Sequence, residues 1–135
     1  MEQLGFVPGR RNALAAGLAE FGGGLLLAFG LLTPLAAAAL VGLMVVAGVS
    51  VHWRHGFFVQ NGGYEYPLVL GLAALSLAFT GPGPFSLDAL LGLERSGVFS
   101  GLAAFVLGVV AGALKLATRR LPTPQTSSPS VPQAA

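Results

Sequence analysis

Long apolar runs alternate with short polar breaks along this chain. Ala13 to Leu32 is apolar except for Glu20, Thr33-Pro34 interrupts, and Leu35 to Val51 is apolar again apart from Ser50. A membrane-spanning helix needs about 20 mainly apolar residues. This run is too long for one span and predicts two, folded back at Thr33-Pro34. Pro34 suits the first turn of the second helix, where its missing N–H costs nothing. Residues 64–80 predict a third, slightly short span that Gly81-Pro82-Gly83-Pro84 ends, and Gly97 to Ala117 predicts a fourth. Between them, residues 85–96 place Leu87, Leu90 and Leu91 at helical spacing. They read as a short amphipathic piece in the interface plane, begun at Ser86, with Asp88, Glu94 and Arg95 solvated. The expected fold class is all-α, a polytopic membrane four-helix bundle. Its spans are expected at about 13–32, 35–53, 64–80 and 97–117 within one domain over 1–120. Residues 121–135 are rich in Pro, Ser, Thr and Gln without periodicity and read as a disordered tail.

Composition sharpens this picture. Hydrophobic residues make up 54% of the chain and charged residues 9%, against about a quarter charged in soluble domains. Such a surface needs lipid as its solvent. The absence of cysteine excludes disulfides, thiolate metal sites and thiol redox chemistry. Arg10-Arg11 ahead of an apolar run resembles a twin-arginine signal. Against that, the run carries Glu20 and extends well past the core of a signal peptide. Counting alternate sides, Arg10, Arg11, Arg54, Lys115, Arg119 and Arg120 fall together and Arg95 falls opposite. The positive-inside rule then predicts a multi-pass protein of the cell membrane with both termini cytoplasmic. No phosphate-binding glycine loop, nucleophile elbow or nucleic-acid motif is present, so no catalytic residue and no nucleic-acid partner is expected.

Candidate chemistry gathers in residues 52–67, which hold both histidines, the tryptophan and both tyrosines. The start of the first helix, the end of the second and the start of the third share one leaflet. Glu20 lies about 10 Å below the start of the first helix. Glu20, His52, His55, Tyr64, Glu65 and Tyr66 therefore form the candidate proton-handling or ligand-binding group. A carboxylate at that depth costs a few kcal/mol or more unless paired, and such residues usually face the bundle interior. Its small neighbours Ala16, Gly17, Gly23 and Gly24 leave it a niche. Two readings stand: a proton relay or ligand-gripping acid, and a helix–helix hydrogen-bond clasp. His52-x-x-His55 with Glu65 resembles part of a metal site, but no further ligand is clearly spaced to complete one, so no metal is expected. Trp53, Phe57 and Phe58 read as an aromatic belt, while Tyr64 and Tyr66 flank Glu65 and suit a polar headgroup or a quinone ring. Asn61-Gly62-Gly63 reads as a tight turn with positive φ. Gly108-x-x-x-Gly112, extended by Ala104, signals close helix packing, within the chain or between copies.

Three ordered motifs carry a family resemblance: G-L-A-E-F-G-G-G-L-L-L-A-F-G-L-L-T-P-L-A-A, then H-G-F-F-V-Q-N-G-G-Y-E-Y-P-L, then G-P-G-P-F-S-L-D-A-L-L-G. Over about residues 4–92 the chain resembles the DoxX family of small bacterial membrane proteins. The resemblance implies a four-helix membrane bundle. The family includes a subunit of an archaeal thiosulfate:quinone oxidoreductase and a mycobacterial membrane component linked to oxidative-stress defence. DoxX-like chains usually carry another helix ahead of the stretch matching Leu4-Gly5-Phe6, where this chain has a helix at 97–117 instead. They also often have a basic residue at the position of Pro34.

Two functions are compatible with these features. The first is an accessory subunit of a membrane redox system, quinone-facing, with Glu20, His52 and Glu65 handling protons. The second is a non-catalytic membrane scaffold or small-solute permease in which the polar cluster is a clasp or gate. An independent enzyme is not expected. The expected partners are the lipid bilayer and, through the Gly108/Gly112 face, a second copy or a redox-complex protein.

Overall fold

The computed structural model describes residues 1–120; the tail expected over 121–135 lies outside the described residues. Helix α1 runs from Gly9 to Phe29 and α2 from Thr33 to Ala47. From α2 the chain winds on through a π-helical turn, Gly48–His52, and a 3₁₀ turn, Trp53–His55. A compact loop with a second 3₁₀ turn, Val59–Asn61, leads into α3, Glu65–Thr80. A four-residue α4, Leu87–Leu90, sits in the connection to α5, Val98–Ala117. Helix α1, the Thr33–His55 run and α5, at 21, 23 and 20 residues, are long and apolar enough to cross a membrane. At 16 residues, α3 rises about 24 Å and depends on its flanking loops to reach both interfaces. The protein is an all-α, polytopic membrane four-helix bundle.

The bundle is layered around α2, which packs against α1 on one side and against α3 and α5 on the other, while α3 also packs on α5. Its core is built from small side chains: Ala37 and Ala78 are fully buried, with Ala104 beside them. Alanine and glycine let helix backbones approach closely, which is how helices associate where lipid is as apolar as the core. A Cβ on Gly108 would lie 2.7 Å from the carbonyl oxygen of Ala38, and one on Gly112 would lie 2.9 Å from that of Gly42. Those contacts run in step along both helices, so α2 and α5 are parallel neighbours. They also correct the expectation of a Gly108/Gly112 face open to a second copy or a redox partner. Helix α2 of the same chain covers this face, because no larger side chain fits at so short a separation.

The largest fully buried side chains among the described residues are a polar pair, Thr33 and Asp88. Asp88 accepts hydrogen bonds from the Leu32 N–H at 2.8 Å, the Thr33 N–H at 3.0 Å and the Thr33 hydroxyl at 2.9 Å. These are N–H groups at the start of α2, which an α-helix leaves without internal partners. A carboxylate there also meets the positive end of the helix dipole. The expected solvation of Asp88 is thus corrected: the connection from α3 to α5 folds under the α1–α2 turn and plugs it. That turn is tight, with Gly30 left-handed at φ 61° and Leu32 at φ 50°. In place of an amphipathic helix over 85–96, regular helix is confined to α4, where the Ser86 hydroxyl accepts from the Ala89 N–H at 3.1 Å. Phe85, Leu90 and Leu91 project outward.

Candidate functional site

At the end of the bundle where α1 begins, the chain's first residues tie α1 to α5. The Glu2 carboxylate accepts from the Gly9 N–H at 3.0 Å, and the Arg120 N–H donates to the Gly5 carbonyl at 2.8 Å. Arg119 Nε donates to the Leu4 carbonyl at 2.9 Å, and Lys115 Nζ to Asn12 Oδ1 at 2.6 Å. Phe6, 3% exposed, lies beneath the Lys115 and Arg119 cations, 5.8 and 5.6 Å from its ring centre.

Below this corner, α1 contacts α2 closely at Gly23, where a Cβ would meet the Leu40 side chain at 3.0 Å. Nearer its start α1 stands off, leaving a groove of about 460 Å³ between it and α2. Ala15, Ala16 and Ala19 form its α1 wall, with Leu43, Val46 and Ala47 opposite. Polar groups enter at Glu20, Asn12, Lys115, Ser50, His52 and Tyr66. Gly23 lies level with Leu40, so counting the rise along both helices puts Glu20 level with Leu43, roughly 13 Å deeper than His52. Glu20 is exposed, on the groove, rather than enclosed by the bundle; Gly17 and Gly24 beside it face open space.

The π-helical turn sets how the far wall is presented. A π turn takes in an extra residue and is frequent at functional sites; here Ser50, Val51 and His52 in succession all line the groove. His52 Nδ1 lies 2.6 Å from the Gly62 carbonyl and His55 Nδ1 3.1 Å from that of Val51. A carbonyl oxygen only accepts, so each Nδ1 carries a hydrogen and each Nε2 is left for another partner.

The other candidates serve the loop. Glu65 Oε2 accepts from the Val59 N–H at 2.9 Å, and the Tyr64 and Glu65 N–H groups donate to the Gly56 and Phe57 carbonyls at 3.1 and 2.9 Å. Tyr64 stacks on Trp53 with ring centres 5.3 Å apart and meets Phe57 edge-on at 5.5 Å. Gly62 takes the positive φ of a tight turn, at 77°. The structure thus brings Glu20, His52 and Tyr66 to one groove and leaves His55, Tyr64 and Glu65 outside it. Among the described residues no three side chains of His, Asp or Glu gather as a metal would require. Asn12, Ser50 and Lys115 escape sequence reasoning as lining residues, because nothing in their local pattern reports which way α1 leans. A second groove of about 290 Å³, on the side of α2 facing α3 and α5, is almost wholly apolar, with Trp53 and Tyr64 among its lining residues.

The DoxX family model matches residues 1–53. An inner membrane protein of Escherichia coli, YqjF, is 37% identical over 91 residues, covering 67% of this chain and 68% of its own length. An uncharacterized protein of Haemophilus influenzae is 41% identical over 66 residues, 49% of this chain; the match spans less than half of that relative, 44%. No solved structure matches the chain.

Proposed function

We infer that this chain, which belongs to the DoxX family of membrane proteins, serves as an accessory subunit holding a quinone-type lipid for a membrane redox system. The groove between α1 and α2 carries this reading: an apolar trough with an acid at its inner end and a fixed imidazole at its outer end. Helical side chains lean toward their own N-terminus. In this antiparallel pair Glu20 therefore leans outward and His52 inward, so the two side chains approach each other along the same trough. His52, with Nδ1 held by Gly62, offers Nε2 to a ring hydroxyl, and Tyr66 stands at the same end. The alanine floor suits an isoprenoid tail. Glu65, engaged by Val59, organises the loop in this reading instead of exchanging protons. The basic end of the bundle, where six of the seven Lys and Arg residues collect, faces the cytoplasm with both termini.

The test uses the purified protein in nanodiscs, titrated with a short-chain benzoquinone or naphthoquinone. Trp53, next to His52 and the only tryptophan in the chain, is the reporter. Because it lines the second groove, saturable quenching that neither His52→Phe nor Ala16→Phe changes would assign the quinone to that groove and overturn this reading. Saturable quenching is expected, weakened about tenfold in His52→Phe, on the scale of one lost hydrogen bond, and abolished when Ala16→Phe fills the trough. Unsaturable quenching, identical in all variants, would return the protein to the scaffold reading.

A further inference from the structure

We propose that the corner where α1 begins and α5 ends is a binding site for the headgroup of an anionic phospholipid, a phosphatidylglycerol or diphosphatidylglycerol. Five cations meet there: Arg10 and Arg11 on the first turn of α1, with Lys115, Arg119 and Arg120 at the end of α5. They are drawn together by the contacts of Asn12, Leu4 and Gly5 with the end of α5. The carboxylate that shares the corner, Glu2, is held by the Gly9 N–H through Oε1 and offsets one of the five positive charges.

Basic residues at a membrane face need not form a site; most are solvated and fix orientation. This cluster differs because two of its cations are held in place. Lys115 and Arg119 lie over the buried Phe6 ring, a cation–π arrangement that costs the bound state less side-chain entropy than free lysines and arginines do. Arg119 spends Nε on Leu4, which leaves its terminal amino groups for the paired contact a phosphate favours. Arg10, Arg11, Lys115 and Arg120 are exposed, and exposed Leu14 and Leu114 beside them offer apolar surface for the lipid's chains. A zwitterionic headgroup brings its own cation against the cluster; an anionic one does not. Lys115 also lines the outer end of the groove; the site is separable from the quinone reading through Arg10, Arg11, Arg119 and Arg120, which do not line it.

The experiment measures which lipids the full-length protein retains from equal mixtures of phosphatidylcholine and phosphatidylglycerol, by native mass spectrometry. Phosphatidylglycerol is expected to be retained in preference. The preference should fall on the order of tenfold in R10Q/R11Q, at the scale of a juxtamembrane cation near an anionic surface. Both side chains are exposed, so thermal stability is expected to stay unchanged. R119K, which keeps the charge and loses the fork, is expected to fall between them. R54Q, a basic residue of the same leaflet in the 53–63 loop, is expected to leave the preference intact. Equal retention of the two lipids, or an equal loss in R54Q, would overturn the proposal. Quinone quenching in R10Q/R11Q should match the parent protein, which separates this site from the groove.

Discussion

Replacing Asp88 by alanine removes the acceptor for two N–H groups and one hydroxyl, all within 3.0 Å. Asp88 and Thr33 are each 1% exposed, so water does not readily take over these bonds. A buried donor left without a partner costs about 1–3 kcal/mol. The hydroxyl can turn to another acceptor, and relief of the buried charge returns part of the loss. The net expectation is about 3 kcal/mol for D88A. D88N keeps one acceptor oxygen and is expected to cost about half as much. T33V gives up a single bond and should cost about 1 kcal/mol. Unfolding of detergent-solubilised protein in rising dodecyl sulfate measures all three, and the T33V/D88N double variant tests their coupling. A D88A protein within 0.5 kcal/mol of the parent, or additive T33V and D88N losses, would refute the clasp.

The same carboxyl sets an acid limit. Burial by itself pushes Asp88 up, but hydrogen bonds from the Thr33 N–H, the Leu32 N–H and the Thr33 hydroxyl outweigh it and hold the group below the ordinary aspartate range. A depressed folded value means the stabilisation is fully present above the unfolded value, about 3.9, and is lost as pH falls through the folded one. Stability measured against pH should therefore drop in this acid window for the parent and drop less for D88N. G108V sets branched carbons against the Ala38 carbonyl and Val41; a loss of about 1–3 kcal/mol with unchanged oligomeric state is expected, by the same unfolding assay and by light scattering. In G63A the new methyl would strike the Phe57 carbonyl, so the loop must re-form and the Trp53 emission shift to the red as its stack with Tyr64 is lost. E65Q weakens the hold on Val59 by about 1 kcal/mol and should leave quinone quenching unchanged; a lost quinone response at unchanged stability would put Glu65 back among the proton-handling groups.

Helices were the legible part of this chain because each is a hydrophobic run bounded by Pro, Gly or charge, and the lipid solvent makes that contrast steep. The Thr33-Pro34 break is where α2 begins, with proline in its first turn. What the pattern does not carry is rotation about each helix axis. Tyr64 and Tyr66 are two residues apart and equally close to Glu65, yet one stacks on Trp53 and the other reaches the groove. Asp88 was illegible for a different reason. Its partners lie 55 and 56 residues away, and an aspartate in a polar connection has the same local sequence whether solvated or enclosed. Gly108 and Gly112 announced a close neighbour, but spacing alone does not name which helix it is.

The wide turn over Gly48–His52 holds one residue more than an α turn would, and that surplus lets Ser50, Val51 and His52 face the groove in succession. Deleting one residue there would let the backbone relax to ordinary α winding while everything beyond keeps nearly its present phase, because the lost residue is the one the wide turn had absorbed. The same deletion in the regular winding of α2 would swing all that follows by about 100°. A single-codon shortening is therefore expected to be tolerated by the bundle at this turn and nowhere else along α2, at the expense of one side chain from the wall of the trough.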